Sequence, residues 1–289
     1  ILNLLNFCLK KETMHKNTSN IKNHIISQYN ESYDRIKYLK DQYKGETAYI
    51  ITCGPSLKNY DLDKLKFFLK DKFVLGVKQS YDILGDIIDI HLLNFCNHKN
   101  YKYKNLENTI VSWVVYMQDQ PYYILQNNIP CDFMMPLCRN RGGHENTLAF
   151  KGDFENLLID NSFARPWGSG IMYESALPLA LYCGAKNIVT IGWDIGSINE
   201  KDKGKERIKY DHFYAEGKDG EKTPYDGVNV IKAPVGGSSG MSFNETKLIA
   251  DSTEGLYKFL QSINVNLSIV SDRNPAHESI PRIEIPEIL

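Results

Sequence analysis

Short, continuous apolar runs that alternate with helical periodicity leave this chain few folds to choose from. The segments 47–52 (TAYIIT), 73–77 (FVLGV), 87–94 (IIDIHLLN), 108–116 (NTIVSWVVY), 187–193 (NIVTIGW) and 267–272 (LSIVSD) are rich in β-branched and aromatic residues. They do not alternate with polar positions, so each reads as a strand covered on both faces. Helical patterns over 62–69, 169–183 and 244–263 fall between several of them. Buried strands separated by helices demand crossover connections, and hence a mostly parallel sheet with helices on both faces. The expected fold class is α/β, with Rossmann-like topology.

Upstream of the first strand, Ile21, Ile25, Ile26 and Tyr29, then Tyr33, Ile36 and Leu39, stand at helical spacing. Residues 1–44 are therefore expected to form a helical extension of two helices leading into the core, closed at Lys44-Gly45. Residues 45–289 would form the main domain. Within it, 196–242 is rich in Gly, Lys, Asp and Ser without any period, as a functional lid inserted in a compact domain would be.

A chain of 289 residues can bury a large core, and a net charge of -1 gives no basic footprint for nucleic acid. Six cysteines (Cys8, Cys53, Cys96, Cys131, Cys138, Cys183) are scattered without a CxxC pair. They fit buried thiols in a reducing, cytoplasmic compartment. No apolar run reaches the roughly 18 residues of a membrane span. The opening ILNLLNFCLKK, apolar then basic, reverses the order of a secretory signal. The first residue is not Met, as expected of a piece of a longer polypeptide.

In an open parallel sheet, ligands bind beyond the carboxyl ends of the strands. The first strand ends in Thr52-Cys53-Gly54-Pro55-Ser56, a corner where the backbone can approach an anion closely. It is neither a Walker loop nor GxGxxG. The third ends at Asn94, able to donate and accept toward a base or sugar. Gly168-Ser169-Gly170 opens an apolar helix that ends at Gly184, after which a strand delivers Gly192-Trp193-Asp194. Ser169 suits either an N-cap or a phosphate or ribose contact. Arg165 is a candidate anion partner, and Asp194, at an apolar strand tip, needs a partner or a task. In KYDHFYAEG (209–217), His212 lies between Tyr210 and Tyr214 and is a candidate general base. The other histidines show no HxxxH or HxH spacing, and the DxD of Asp61-Leu62-Asp63 suits a helix start. No metal is expected.

The ordered motifs IITCGPSLK, LLNFCN and GSGIMYESALPLALYCGAKNIVTIGWD resemble those of bacterial sialyltransferases of the Campylobacter lipooligosaccharide type. They also resemble the related motility accessory factor glycosyltransferases and MptE-like pyrophosphokinases. The resemblance runs over residues 46–272. It implies a single Rossmann-like domain, a GT-A-like variant, with a lid over the active site and a CMP-activated sugar as donor without cofactor. Carried over by motif, Gly54, Pro55 and Ser56 line the nucleotide phosphate and Asn94 its ribose or phosphate. Gly168, Ser169 and Gly170 fall on the cytidine side, with Arg165 just before them. The sialyltransferase GNGPSL has Cys53 here in place of Asn, and the Asn after the second strand is here Lys78 or Gln79. SSGMSFNETK (238–247) lacks the sialyltransferase histidine. The accessory-factor branch places a His after its GxD strand, which points to His212 as base, with Tyr210 or Tyr214 near the leaving group and Asp194 orienting base or acceptor.

The expected activity is metal-independent, inverting transfer of a sialic-acid-like or Kdo sugar from a CMP donor to a glycan or protein hydroxyl. The alternatives are a pyrophosphokinase using ATP and Mg²⁺, or a non-catalytic nucleotide-binding domain. Expected partners are the nucleotide-sugar donor and a glycan or protein acceptor, not nucleic acid. Peripheral association with the inner membrane and homo-oligomerisation are compatible with the sequence.

Overall fold

A computed structural model describes residues 13–94, 101, 103–115, 119–138, 152–166, 170–195, 243–270 and 274–288. Seven strands of five or six residues form one sheet: β1 (Thr47–Ile51), β2 (Phe73–Val77), β3 (Ile90–Asn94), β4 (Ile110–Val115), β5 (Phe133–Cys138), β7 (Asn187–Ile191) and β8 (Asn266–Val270). A two-residue β6 (Arg165–Pro166) adds to one edge. The order is β6-β5-β4-β3-β2-β1-β7-β8, and every pairing is parallel. The expected Rossmann-like α/β class is thus observed, with a sheet that is parallel throughout.

Helices cover both faces because the strands are apolar on both. On one face lie α1 (Thr13–Gln28), α2 (Ser32–Tyr38), α6 (Leu177–Tyr182) and α7 (Phe243–Ser262). They bury Ile21, Ile25, Ile36, Leu179, Leu256 and Leu260 with Ile50 and Leu75 of the sheet. The other face carries α3 (Leu62–Leu69), α4 (Ser80–Leu84) and α5 (Asp119–Gln126). There Leu65, Leu69, Leu84 and Ile124 pack on Ile51, Val74 and Trp113. The helices of the N-terminal extension therefore share the core of the main domain. Among the described residues no helix is long and apolar enough to cross a membrane.

Local chemistry explains where these elements stop and start. Asp61 caps α3, its carboxylate accepting from the amides of Asp63 (3.0 Å) and Lys64 (3.1 Å), so the DxD pair is a helix start. α2 ends at Tyr38, earlier than the Lys44-Gly45 stop expected from sequence. The intervening turns pass through Asp41 at φ 60°. There the amides of Asp41, Tyr43 and Gly45 donate to the carbonyls of Tyr182, Cys183 and Gly184 at 2.9–3.0 Å, satisfying acceptors that the end of α6 leaves open.

α1 is fastened to the amino ends of the strands by polar contacts. Lys22 Nζ donates to the Thr109 carbonyl (2.6 Å) and pairs with Asp132 (2.9 Å). One turn earlier, the Thr18 hydroxyl donates to Asp89 Oδ1 (2.5 Å). Both carboxylates in turn accept strand amides, Asp89 from Val74 (2.8 Å) and Asp132 from Val111 (2.7 Å).

Candidate functional site

The chain moves outward from β1 through β2 to β6, then returns to lay β7 against the other side of β1. The carboxyl ends of β1 and β7 thus flank the point where strand order reverses, the usual place of a ligand crevice in an open α/β sheet. The β1–β7 ladder runs past the strands themselves. Thr52 N donates to Ile191 O and Gly54 N to Gly192 O, both at 2.9 Å. This close approach requires glycine on each side. A Cβ on Gly54 would overlap the Gly192 carbonyl and the Asp194 carboxylate. Gly192 has φ 76°, and a Cβ there would lie 2.8 Å from Leu57 Cγ and 3.0 Å from the Thr52 carbonyl. Gly192→Ala is accordingly expected to destabilise the protein by about 1–3 kcal/mol in urea unfolding. An unchanged midpoint would mean that the two tips are not locked together.

Pro55–Asn59 forms a short 3₁₀ turn directly after β1. Pro55 has no N–H, so Ser56 supplies the first amide of the turn, and it donates to Asp194 Oδ2 at 2.7 Å. Asp194 is 3% exposed. Its strand tip is held from behind, because Asn274 Nδ2 donates to the Trp193 carbonyl while Asn274 Oδ1 accepts from Ala276 N (2.7 Å). Ile195 follows at φ 56°, ending the extended run. The corner expected to receive a phosphate is therefore met by a carboxylate of the same chain.

One strand over, Lys78, the residue after β2, stands at φ 50°, a left-handed conformation that costs a non-glycine residue about 1 kcal/mol or more. Two bonds from β3 pin it: Lys78 N donates to Leu92 O (2.9 Å), and its carbonyl lies 2.8 Å from His91 Nε2. A carbonyl only accepts, so Nε2 carries a proton. In neutral imidazole Nδ1 is then the acceptor, taking the proton of Tyr103 OH at 2.8 Å. His91 is wholly buried. Cys53, from the β1 tip, donates Sγ–H to the Val77 carbonyl (3.1 Å). Burial pushes its thiol up to about 11, against the opposing pull of the Lys78 charge and the Ser80 and Gln79 amides. The Thr52, Ser56 and Ser80 hydroxyls, at or just beyond the β1 and β2 tips, are buried without a partner among the described residues.

The structure thus brings Gly54, Pro55, Ser56 and Asp194 together, with Asn94 at the end of β3, two strands from β1. Gly170, at φ 71°, precedes a π-helical turn, Met172–Ala176, that leads into α6. Arg165 is fully buried, and its guanidinium donates to the carbonyls of Asn156, Leu157, Ser162, Phe163 and Ala164. Gly168, Ser169, Tyr210, His212 and Tyr214, like the expected lid over 196–242, lie outside the described residues. Sequence reasoning singled out neither His91 nor Asn274. The signal for the first was a histidine inside the apolar run IIDIHLLN, where a buried ring needs two partners. Among the described residues no group of three His, Cys, Asp or Glu side chains could hold a metal ion. Neither a scan against protein-family models nor a search of curated proteins finds a match to this chain.

Proposed function

We propose that the chain is a nucleotide-dependent transferase working at the β1–β7 crevice. Its reaction would be metal-independent, inverting transfer of a sialic-acid-like or Kdo sugar from a CMP donor to a glycan or protein hydroxyl. The observation that carries this reading is the meeting, at the point where strand order reverses, of two motifs 138 residues apart, Gly54-Pro55-Ser56 and Gly192-Trp193-Asp194. In this reading His212 takes the proton of the acceptor hydroxyl as its oxygen attacks the anomeric carbon. The bond from that carbon to the CMP phosphate oxygen breaks, and Tyr210 or Tyr214 donates to the departing phosphate. Asp194 orients the acceptor or the base, and Asn94 and the Gly168-Ser169-Gly170 segment receive the nucleoside. Such a donor pool would place the enzyme in the cytoplasm.

A second reading draws on the same carboxylate. Magnesium is bound through one or two carboxylates together with substrate phosphates, so Asp194 also suits a pyrophosphokinase using ATP and Mg²⁺. Calorimetric titration with CMP, UDP, GDP and ATP, each with and without Mg²⁺, separates the two. CMP binding that ignores Mg²⁺ and weakens in Ser169→Ala is the expected result. ATP binding that requires Mg²⁺ would replace the first reading by the second, and no nucleotide binding would remove both.

A further inference from the structure

We propose that the aromatic pocket between the end of α5 and the β3–β4 connection binds the acetamido group of a neutral amino sugar, as a glycan site separate from the strand-end crevice. The assignment goes beyond the transferase reading and uses none of its residues.

The pocket has an aromatic floor and an amide rim. Tyr101, Tyr103 and Trp113 line it with Asn127, Asn128 and the turn that leads into β5. Tyr101 and Trp113 are buried, whereas Asn127 and Asn128, just past the end of α5, are exposed. That turn reaches the amino end of β5, four places from β1 in the sheet, so the pocket is remote from the carboxyl ends of β1 and β7. Trp113 Nε1–H donates to the Pro130 carbonyl (2.9 Å), and Tyr103 O–H donates to His91 Nδ1 (2.8 Å). With their polar atoms held by protein partners, these two rings offer the pocket carbon surface. The Tyr101 and Tyr103 ring centroids stand 6.1 Å apart, and the buried His91 ring meets Tyr101 edge-on at 4.8 Å. The floor is therefore braced before any ligand arrives, which lowers the cost of binding one.

Size and charge select the ligand class. The cavity measures about 80 Å³, well under the roughly 150 Å³ that admits a benzene ring, so it takes a substituent and not a whole sugar ring or base. None of the lining residues is charged. A phosphate or carboxylate finds no cation there, and a quaternary ammonium finds rings but no carboxylate. An acetamido group matches both parts of the site: its methyl packs on ring carbon, and its amide faces side chains that each carry a donor and an acceptor. Asn127 Nδ2 donates to the Tyr123 carbonyl at 2.8 Å, leaving Oδ1 to accept the acetamido N–H, while the Asn128 amide can donate to the acetamido carbonyl.

The surface beside the rim supports a sugar. α5 exposes Tyr122, Tyr123 and Leu125 around the buried Ile124. Tyr123 lies one turn before Asn127, on the same face of the helix, and an exposed ring there is a platform for the apolar side of a pyranose whose acetamido group enters the pocket.

Saturation-transfer NMR on the full chain tests this with N-acetylglucosamine, glucose and choline as probes. The acetamido methyl of N-acetylglucosamine should receive the strongest saturation, and glucose should bind at least about 5- to 10-fold more weakly. Two variants probe the site without touching its floor. Asn128 stands at φ 49°, which glycine adopts without strain, so Asn128→Gly removes a rim amide and keeps the turn. Tyr123→Ala removes an exposed ring and keeps the carbonyl that holds Asn127. Each should keep the melting temperature of the parent within a few degrees and lose about 5- to 10-fold in affinity for N-acetylglucosamine. Saturation of N-acetylglucosamine no greater than that of glucose, or unchanged in both variants, would overturn the assignment, and preferential saturation of choline would replace it by a cation cage. Both variants should bind CMP as the parent does, so the two ideas fail separately. CMP binding without acetamido binding would remove this site and leave the transferase reading in place, and acetamido binding without a response to CMP would do the reverse.

Discussion

Replacing Lys22 by Met is expected to destabilise the protein by about 3–5 kcal/mol. Lys22 and Asp132 are only 7% and 8% exposed, and they pair at 2.9 Å. The ammonium also donates to the Thr109 carbonyl at 2.6 Å, and Asp132 also accepts the Val111 amide at 2.7 Å. Methionine matches the length and apolar stem of lysine, so little packing is lost. What remains is a buried carboxylate that has lost its ion-pair partner and keeps one strand amide, while the Arg35 guanidinium stays on the Asp132 backbone carbonyl at 2.6 Å, and breaking such a buried pair is the larger cost. The double variant Lys22→Met, Asp132→Asn removes both charges and should recover much of the loss. Urea unfolding of the two variants checks this. A loss under about 1 kcal/mol for Lys22→Met would mean that the pair is not formed and that α1 does not dock as described.

That docking bears on how much could be read without coordinates. Six of the seven longer strands follow from continuous apolar runs, and β2 coincides with FVLGV. β5 does not stand out because FMMPLC lacks β-branched residues and carries Pro136, although an outer position makes the missing N–H tolerable. α4, at five residues, is too short to establish a period, and α5, although as long as α3, exposes Tyr122, Tyr123 and Leu125 around a buried Ile124, which blurs its apolar face. Helical spacing in residues 21–39 shows two helices, but apolar positions cannot reveal that Thr18 and Lys22 meet carboxylates far along the chain. Those contacts depend on strand order, which no local pattern encodes.

The site was legible in the same uneven way. Gly54-Pro55-Ser56 and Gly192-Trp193-Asp194 are recognisable as strand-end corners, because glycine after an apolar strand marks close backbone approach. Their partnership is not, since it follows from β7 returning beside β1. Asp194 is where this matters most. Read alone, it needed a partner, and Ser56 read alone offered an amide to an anion. The fold gives each to the other. Arg165 illustrates a different problem, since its guanidinium donates to five backbone carbonyls of its own loop, contacts that nothing in its neighbours' identities announces.

Asp89→Asn is expected to make the protein more stable than the parent above neutral pH and to flatten its pH dependence. Asp89 is 4% exposed. Burial lifts its carboxyl from an ordinary 3.8 to about 7, although the Thr18 and Val74 hydrogen bonds pull the other way. The groups facing it are the Thr18 hydroxyl, the Tyr43 hydroxyl behind it (2.8 Å from Thr18) and the Val74 amide, with the Cys183 thiol also coupled to its charge. None of these is a cation that would favour ionisation. The folded state therefore holds this proton more tightly than the unfolded chain does. Its contribution is fully present below pH 4, declines as pH rises toward 7, and is lost above that. The interval between the two values corresponds to roughly 4 kcal/mol. Asparagine reproduces the protonated form: its carbonyl can accept from Val74 N and its amide can donate to the Thr18 hydroxyl, which then donates to Tyr43. The difference in unfolding free energy between parent and variant, measured from pH 4 to pH 8, should thus shift by several kcal/mol in favour of the variant as pH rises. A difference that stays constant across that range would show that Asp89 ionises as readily in the fold as outside it, and that the Thr18 end of the α1 contact is insensitive to pH.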